Sequence, residues 1–144
     1  MLLCPPQSAV AASGNSRATP LYVHGQWAEL LLNVTSAAAA AGDTLDVYVQ
    51  ASSDGGTTWD DVAHFTQVLG NGGAKKSLIR WQGEIAPTTA QAAPQDAALA
   101  AGVAQGPHGN LWSVKWVVVS ASAPLFTFSV EASGDIKCVS RRGF

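Results

Sequence analysis

The sequence predicts an all-β chain: an antiparallel β-sandwich, jelly-roll-like, with an extended N-terminal arm and one long Ala/Pro-rich loop. Three observations predict it. Short runs of β-branched and aromatic residues alternate apolar and polar at a period of two, Gly-, Ser- and Asn-rich turn signals separate them, and no stretch sustains a helical period. About six strands, each with one apolar face, bury those faces best as two sheets packed against each other. Repeats of the kind that build propellers or solenoids are absent.

Residues 1–20 carry Pro5, Pro6, Gly14 and Pro20 among small polar residues with no apolar period, which reads as an arm. The domain proper is expected over 21–136. Ala28, Leu30, Leu32 and Val34 share one face of the first strand, and Ala37–Ala41 is too short for a stable helix and reads as a loop. Leu45, Val47, Val49 and Ala51 point inward from the second strand, with Asp46, Tyr48 and Gln50 outward. After the turn at Ser52–Thr58, Trp59–Phe65 returns as a hairpin partner, and Gly70-Asn71-Gly72-Gly73 ends that region. Lys76–Trp81 makes a further strand. Residues 83–110, with Pro87, Pro94 and Pro107, form a loop expected to project from the body; its one helix candidate is Asp96–Val103, behind Pro94. Two strong strands follow. Leu111–Ser120 aligns Trp112, Val114, Trp116 and Val118, and Leu125–Ser133 aligns Phe126, Phe128, Val130 and Ala132. Ala121–Pro124 reads as a tight hairpin between them. Residues 137–144 form a C-terminal tail.

The 144 residues fit one domain with a substantial core. Of these, 47% are hydrophobic and only 12% charged, so the surface solvates itself weakly and oligomerisation is expected. The formal charge is −2, and outside Lys75-Lys76 and Arg141-Arg142 the basic residues are scattered, which argues against nucleic acid as a partner. No run is long enough for a membrane span, and prolines interrupt the start before any secretory leader could form. Cys4 and Cys138, one near each end, read as free thiols, with a pairing across the termini as the alternative.

The sharpest motif is Ser52-Ser53-Asp54-Gly55-Gly56-Thr57-Thr58-Trp59. It fits Ser-x-Asp-x-Gly-x-Thr-Trp and resembles the Asp-box of sialidase hairpins and several other β-proteins. Each residue has a task in such a turn: Asp54 folds back onto backbone N–H groups, Gly56 takes a positive φ, and Trp59 packs beneath. The resemblance implies a folding element, so Ser52, Asp54, Gly56, Thr58 and Trp59 are expected to be structural. A sialidase propeller would need repeated boxes and an arginine triad.

The segment Leu45–Gln67, together with Phe-Thr-Phe-Ser-Val-Glu-Ala-Ser-Gly-Asp near the end, resembles small structural proteins of tailed bacteriophage virions, covering roughly a quarter of the chain. That resemblance implies a homo-oligomer bound to the major capsid or other virion proteins, made in the host cytoplasm and located in the virion. Capsid decoration (cement) is the first expectation, and a head-tail connector or tail component its nearest rival.

The remaining candidates favour chemistry less. His24, His64 and His108 lie in unrelated contexts, so no zinc site or nucleophile with its base assembles from them. Asp54, Asp60 and Asp61 lack EF-hand spacing for Ca²⁺. No pair of carboxylates stands out for glycosidase work. The chain is therefore expected to be no enzyme, with no catalytic residues, metal or cofactor. Trp112 and Trp116 belong to the core, while Trp27 and Trp81 are open to an interface or a sugar platform, so a carbohydrate-binding β-sandwich module is the rival from another class. Asn33-Val34-Thr35 fits a glycosylation sequon that is set aside for want of a leader.

Overall fold

The computed structural model describes residues 1–37, 40–82, 94–120, 122 and 124–138, with the backbone alone at 24–26 and 138. Its strands are β1 (Leu2–Val10), β2 (Gly14–Asn15), β3 (Thr19–Ser36), β4 (Thr44–Ser52), β5 (Asp60–His64), β6 (Val68–Leu69), β7 (Lys75–Gln82), β8 (Leu111–Val119) and β9 (Phe126–Cys138). A short 3₁₀ turn at Gly70–Gly72 is the single helical element among the described residues. The fold is all-β and antiparallel, as the alternation predicts.

Hydrogen bonding runs β1-β9-β3-β8-β4-β5, with β7 added to β3, β2 to β8 and β6 to β4. The long strand β3 makes this one curled sheet act as two facing leaves. Its first residues, Thr19 and Pro20, pair with Trp112 and Leu111 of β8, while the rest runs between β9 and β7. The first leaf is β7-β3-β9-β1 and the second is β8-β4-β5. Between them lie the side chains that the period of two assigns inward: Leu30, Leu32 and Val34 from β3, Val47 and Val49 from β4, Trp112 and Val114 from β8, and Phe126, Phe128 and Val130 from β9. Trp116 meets Phe128 edge to face, with ring centroids 5.6 Å apart. A contact of that kind adds to the stabilisation from burial, because the ring edge is positive and the ring face negative.

Four expectations are corrected. First, residues 1–20 are not a loose arm. Strand β1 pairs with β9, Leu3 and Cys4 are 3% and 0% exposed, and Met1 exchanges two 2.7 Å backbone hydrogen bonds with Ala132. The chain then crosses to the second leaf, where the Ser16 hydroxyl receives the Val114 N–H at 2.9 Å and Trp116 Nε1 donates to the Ala12 carbonyl at 3.0 Å. This stretch is held by backbone and serine groups along an irregular register, which leaves no apolar period to read.

Second, β8 and β9 are not a hairpin. Both have a fully apolar face, and they lie in opposite leaves with those faces packed together. Asp43 anchors the crossing by accepting from the Ser122 backbone N–H and hydroxyl at 2.8 and 2.9 Å. Third, the described part of the long loop, 94–110, neither projects nor forms a helix. It lies along the outer edge of β5, bridging Asp60 to Gln95 and Ala63 to Ala104. Residues 83–93 of that loop lie outside the described residues, as does most of the expected tail, whose residues 137 and 138 belong to β9. Fourth, the outward face of β4 is not open to solvent: Tyr48 and Gln50 are buried and Asp46 half-buried beneath that same loop.

Cys4 is a free thiol whose pKa burial pushes up to about 11, keeping it protonated and unreactive at neutral pH. Its register partner is Val130, whereas Cys138 pairs with Leu21 at the far end of β9. Cys4 on β1 therefore lies beside the middle of β9, while Cys138 ends that strand.

Candidate functional site

The Asp-box residues form the turn that their spacing implies. The Ser52 hydroxyl accepts the Gly56 N–H at 2.8 Å and donates to Asp54 Oδ1 at 2.7 Å. The Asp54 carboxylate takes the backbone N–H groups of Thr57 and Thr58 at 3.0 and 2.9 Å and the Thr58 hydroxyl at 2.7 Å. These bonds, the Thr58 backbone N–H foremost, hold the Asp54 carboxyl well below the usual carboxylate range. Gly56 sits at φ +95°, a conformation that a side chain would oppose. Trp59 differs from expectation in one respect. Its indole N–H donates to the Gly56 carbonyl at 3.1 Å, yet the ring is only half-buried, so the turn fixes the indole while leaving part of it open.

Beside this turn lies a polar cluster that the sequence reading passed over. Between Val49–Ala63 and Gln50–Asp61 the register advances one residue on β4 and two on β5, so Val62 is an extra residue. Asp61 and His64, three apart, would face opposite ways in a regular strand; the bulge turns both toward the long loop. Asp61 is fully buried and accepts from Gln50 Nε2 at 2.8 Å and from the backbone N–H groups of Ala97 and Leu99, each at 2.9 Å. A buried carboxylate is tolerated when its lone pairs are met in this way. Asp96 and Ala97 lie at φ 42° and 66°, strained for non-glycine residues, and the Asp61 bonds hold that conformation.

His64 has an acceptor at each ring nitrogen: the Leu99 carbonyl 2.8 Å from Nδ1 and Asp46 Oδ1 2.9 Å from Nε2. The ring thus bridges the loop carbonyl and the Asp46 carboxylate. Tyr48 stacks on the ring, centroids 3.8 Å apart. Burial pushes the Asp46 carboxyl up, but hydrogen bonds from His64 and Gln67 and the His64 charge outweigh it, so the net direction is downward. Asp54, Asp60 and Asp61 are not gathered into a cation site: Asp54 and Asp61 are occupied by N–H donors of separate segments. Among the described residues no group of His, Cys, Asp and Glu is arranged to hold a metal ion.

The same face carries a cleft of about 260 Å³. Gln50 and Ser113, register partners on β4 and β8, line it with Lys115, Asn15, Trp59 and Asp96. The Lys115 ammonium is paired with Asp96 Oδ1. A second concavity of about 270 Å³, lined by Thr57, Thr58 and Gln95, shares Trp59 and Asp96 with the first.

The opposite side of the molecule, the outer face of the first leaf, is chemically different. Register aligns Leu2, Glu131, Leu31 and Leu78 in one row across β1, β9, β3 and β7. Leu2 and Leu78 are 49% and 50% exposed, and Trp27, further along β3, is 43% exposed. Trp81, the other tryptophan open to either role, is half-buried against the core, its indole N–H donating to the Gln105 carbonyl at 2.7 Å.

Comparison with protein-family models, with curated proteins and with solved structures finds no match to the chain.

Proposed function

We propose that the chain is a virion structural protein of the capsid-decoration kind, a rigid β-sandwich that works by binding to a larger shell and not by catalysis. The observation that carries this reading is the row of Leu2, Leu31 and Leu78 with Trp27 on the outer face of the first leaf. Leu2 and Leu78 are exposed and Leu31 half-buried in a row shared with Glu131, and the Glu29–Arg80 pair lies between that row and Trp27. The face therefore offers a protein–protein contact leucine area and a tryptophan anchor within a polar frame. The low charge density and the resemblance of Leu45–Gln67 to phage virion proteins support the same reading. Symmetric repetition would add many weak contacts into stable attachment.

Electron microscopy of particles carrying a tagged copy tests location, and light scattering after size exclusion tests self-association. Leu78→Asp combined with Trp27→Ala is expected to strip the protein from particles while leaving its melting midpoint near that of the parent. Retention of full occupancy would refute the reading. Copy number separates the rivals: on the order of hundreds per particle for decoration, about a dozen or fewer for a connector or tail component.

A further inference from the structure

The cleft on the outer face of the second leaf has no part in the docking row, which lies on the opposite leaf. Two side-chain amides, Asn15 and Gln50, two hydroxyls, Ser16 and Ser113, and the Lys115–Asp96 pair line the cleft together with one half-open indole, Trp59. The ammonium and carboxylate cancel, so the site offers no net charge to an ion. What it offers is donors and acceptors within reach of an aromatic face.

The parts are held in place before any ligand arrives. Trp59 is tied to Gly56 by its indole N–H. Asp96 is fixed in a left-handed conformation, with the N–H groups of Ala97 and Leu99 that follow it held by Asp61. Both hydrogen bonds to the Asp96 carboxylate, from Lys115 and Gln50, land on Oδ1. Such preorganisation lowers the entropy lost on binding. Because Trp59 and Asp96 also line the second concavity, they form a ridge with a hollow on each side.

We propose that this ridge binds a neutral oligosaccharide, with a sugar ring stacked on Trp59 and hydroxyls bonded by Asp96 and Asn15, while the buried Gln50 amide holds Asp96 in place. A sugar ring matches the lining in kind: its C–H face suits the indole, and its rim of hydroxyls suits amides and a carboxylate. A strongly charged ligand would have to break the Lys115–Asp96 pair.

The test is an NMR titration of the ¹⁵N-labelled chain with maltotriose, cellotriose and triacetylchitotriose, each to about 10 mM. At least one is expected to give saturable shifts of the Trp59 indole and the Asn15 side-chain amide. Trp59→Ala should weaken that binding roughly tenfold or more. Asn15→Ala, an exposed substitution that spares the core, should weaken it with the fold intact. Trp27→Ala should leave it unchanged. Absence of saturable shifts at Trp59 with all three probes, or shifts that centre on Trp27, would overturn the proposal. Neither result bears on the docking row, whose failure is read from particle occupancy.

Discussion

The Asp61 carboxylate receives the N–H of Leu99, 38 positions further along the chain, at 2.9 Å. With the bonds to Ala97 and Gln50, this makes one buried side chain the fastening of the long loop to β5. Asp61→Asn keeps the size but puts a donor where an acceptor stood. It is expected to cost about 2–4 kcal/mol in urea unfolding, with faster amide exchange at Ala97 and Leu99 than on β9. An unchanged midpoint would dismiss the fastening.

Leu3 tests whether the first strand belongs to the core. Leu3→Ala is expected to lose about 2–5 kcal/mol, the range for a buried leucine, whereas a free arm would register nothing. Deleting residues 1–16 should go further and abolish cooperative unfolding, because it uncovers the edges of both β9 and β8.

Asp54 carries an acid dependence. Its folded pKa lies below the ordinary 3.8, so its contribution to stability is complete above that value and is lost as pH falls through the depressed one. The stability gap between the parent and Asp54→Ala should therefore be widest near neutrality and shrink below about pH 4. A gap that stays constant on acidification would show that the carboxylate bonds contribute nothing.

His64 and Asp46 form the second fastening, and Asp46 has the same sign as Asp54. His64→Ala removes the ring that links Asp46 to the Leu99 carbonyl, and is expected to cost about 1.5–3 kcal/mol while leaving particle binding intact. Followed by NMR titration, the Asp46 carboxyl should move up in that variant. If it does not move, the ion pair is not what lowers it.

Much of this fold was legible in the sequence where burial follows a period of two. Val47 and Val49, Trp112 and Val114, and Phe126 through Ala132 all lie where alternation assigns them. The Asp-box was legible because its partners lie within a few residues of each other. What escaped had non-local causes. The bulge at Val62 inverts the parity that would have separated Asp61 from His64. The loop is ordered by side chains about 35 positions away, which composition cannot reveal. Short links do not tell a hairpin from a crossing between leaves, so the sequence suggests an edge-to-edge pair where β8 and β9 instead meet face to face.

Strand β4 is bonded along both edges and covered on both faces, by the shared core beneath and by the Asp61- and His64-fastened loop above. The amides of Val47 and Val49, at its middle, therefore have no local route to solvent. Deuterium uptake at Val47 and Val49 should proceed only through complete unfolding, which makes those two positions a built-in gauge of global stability for every variant named above.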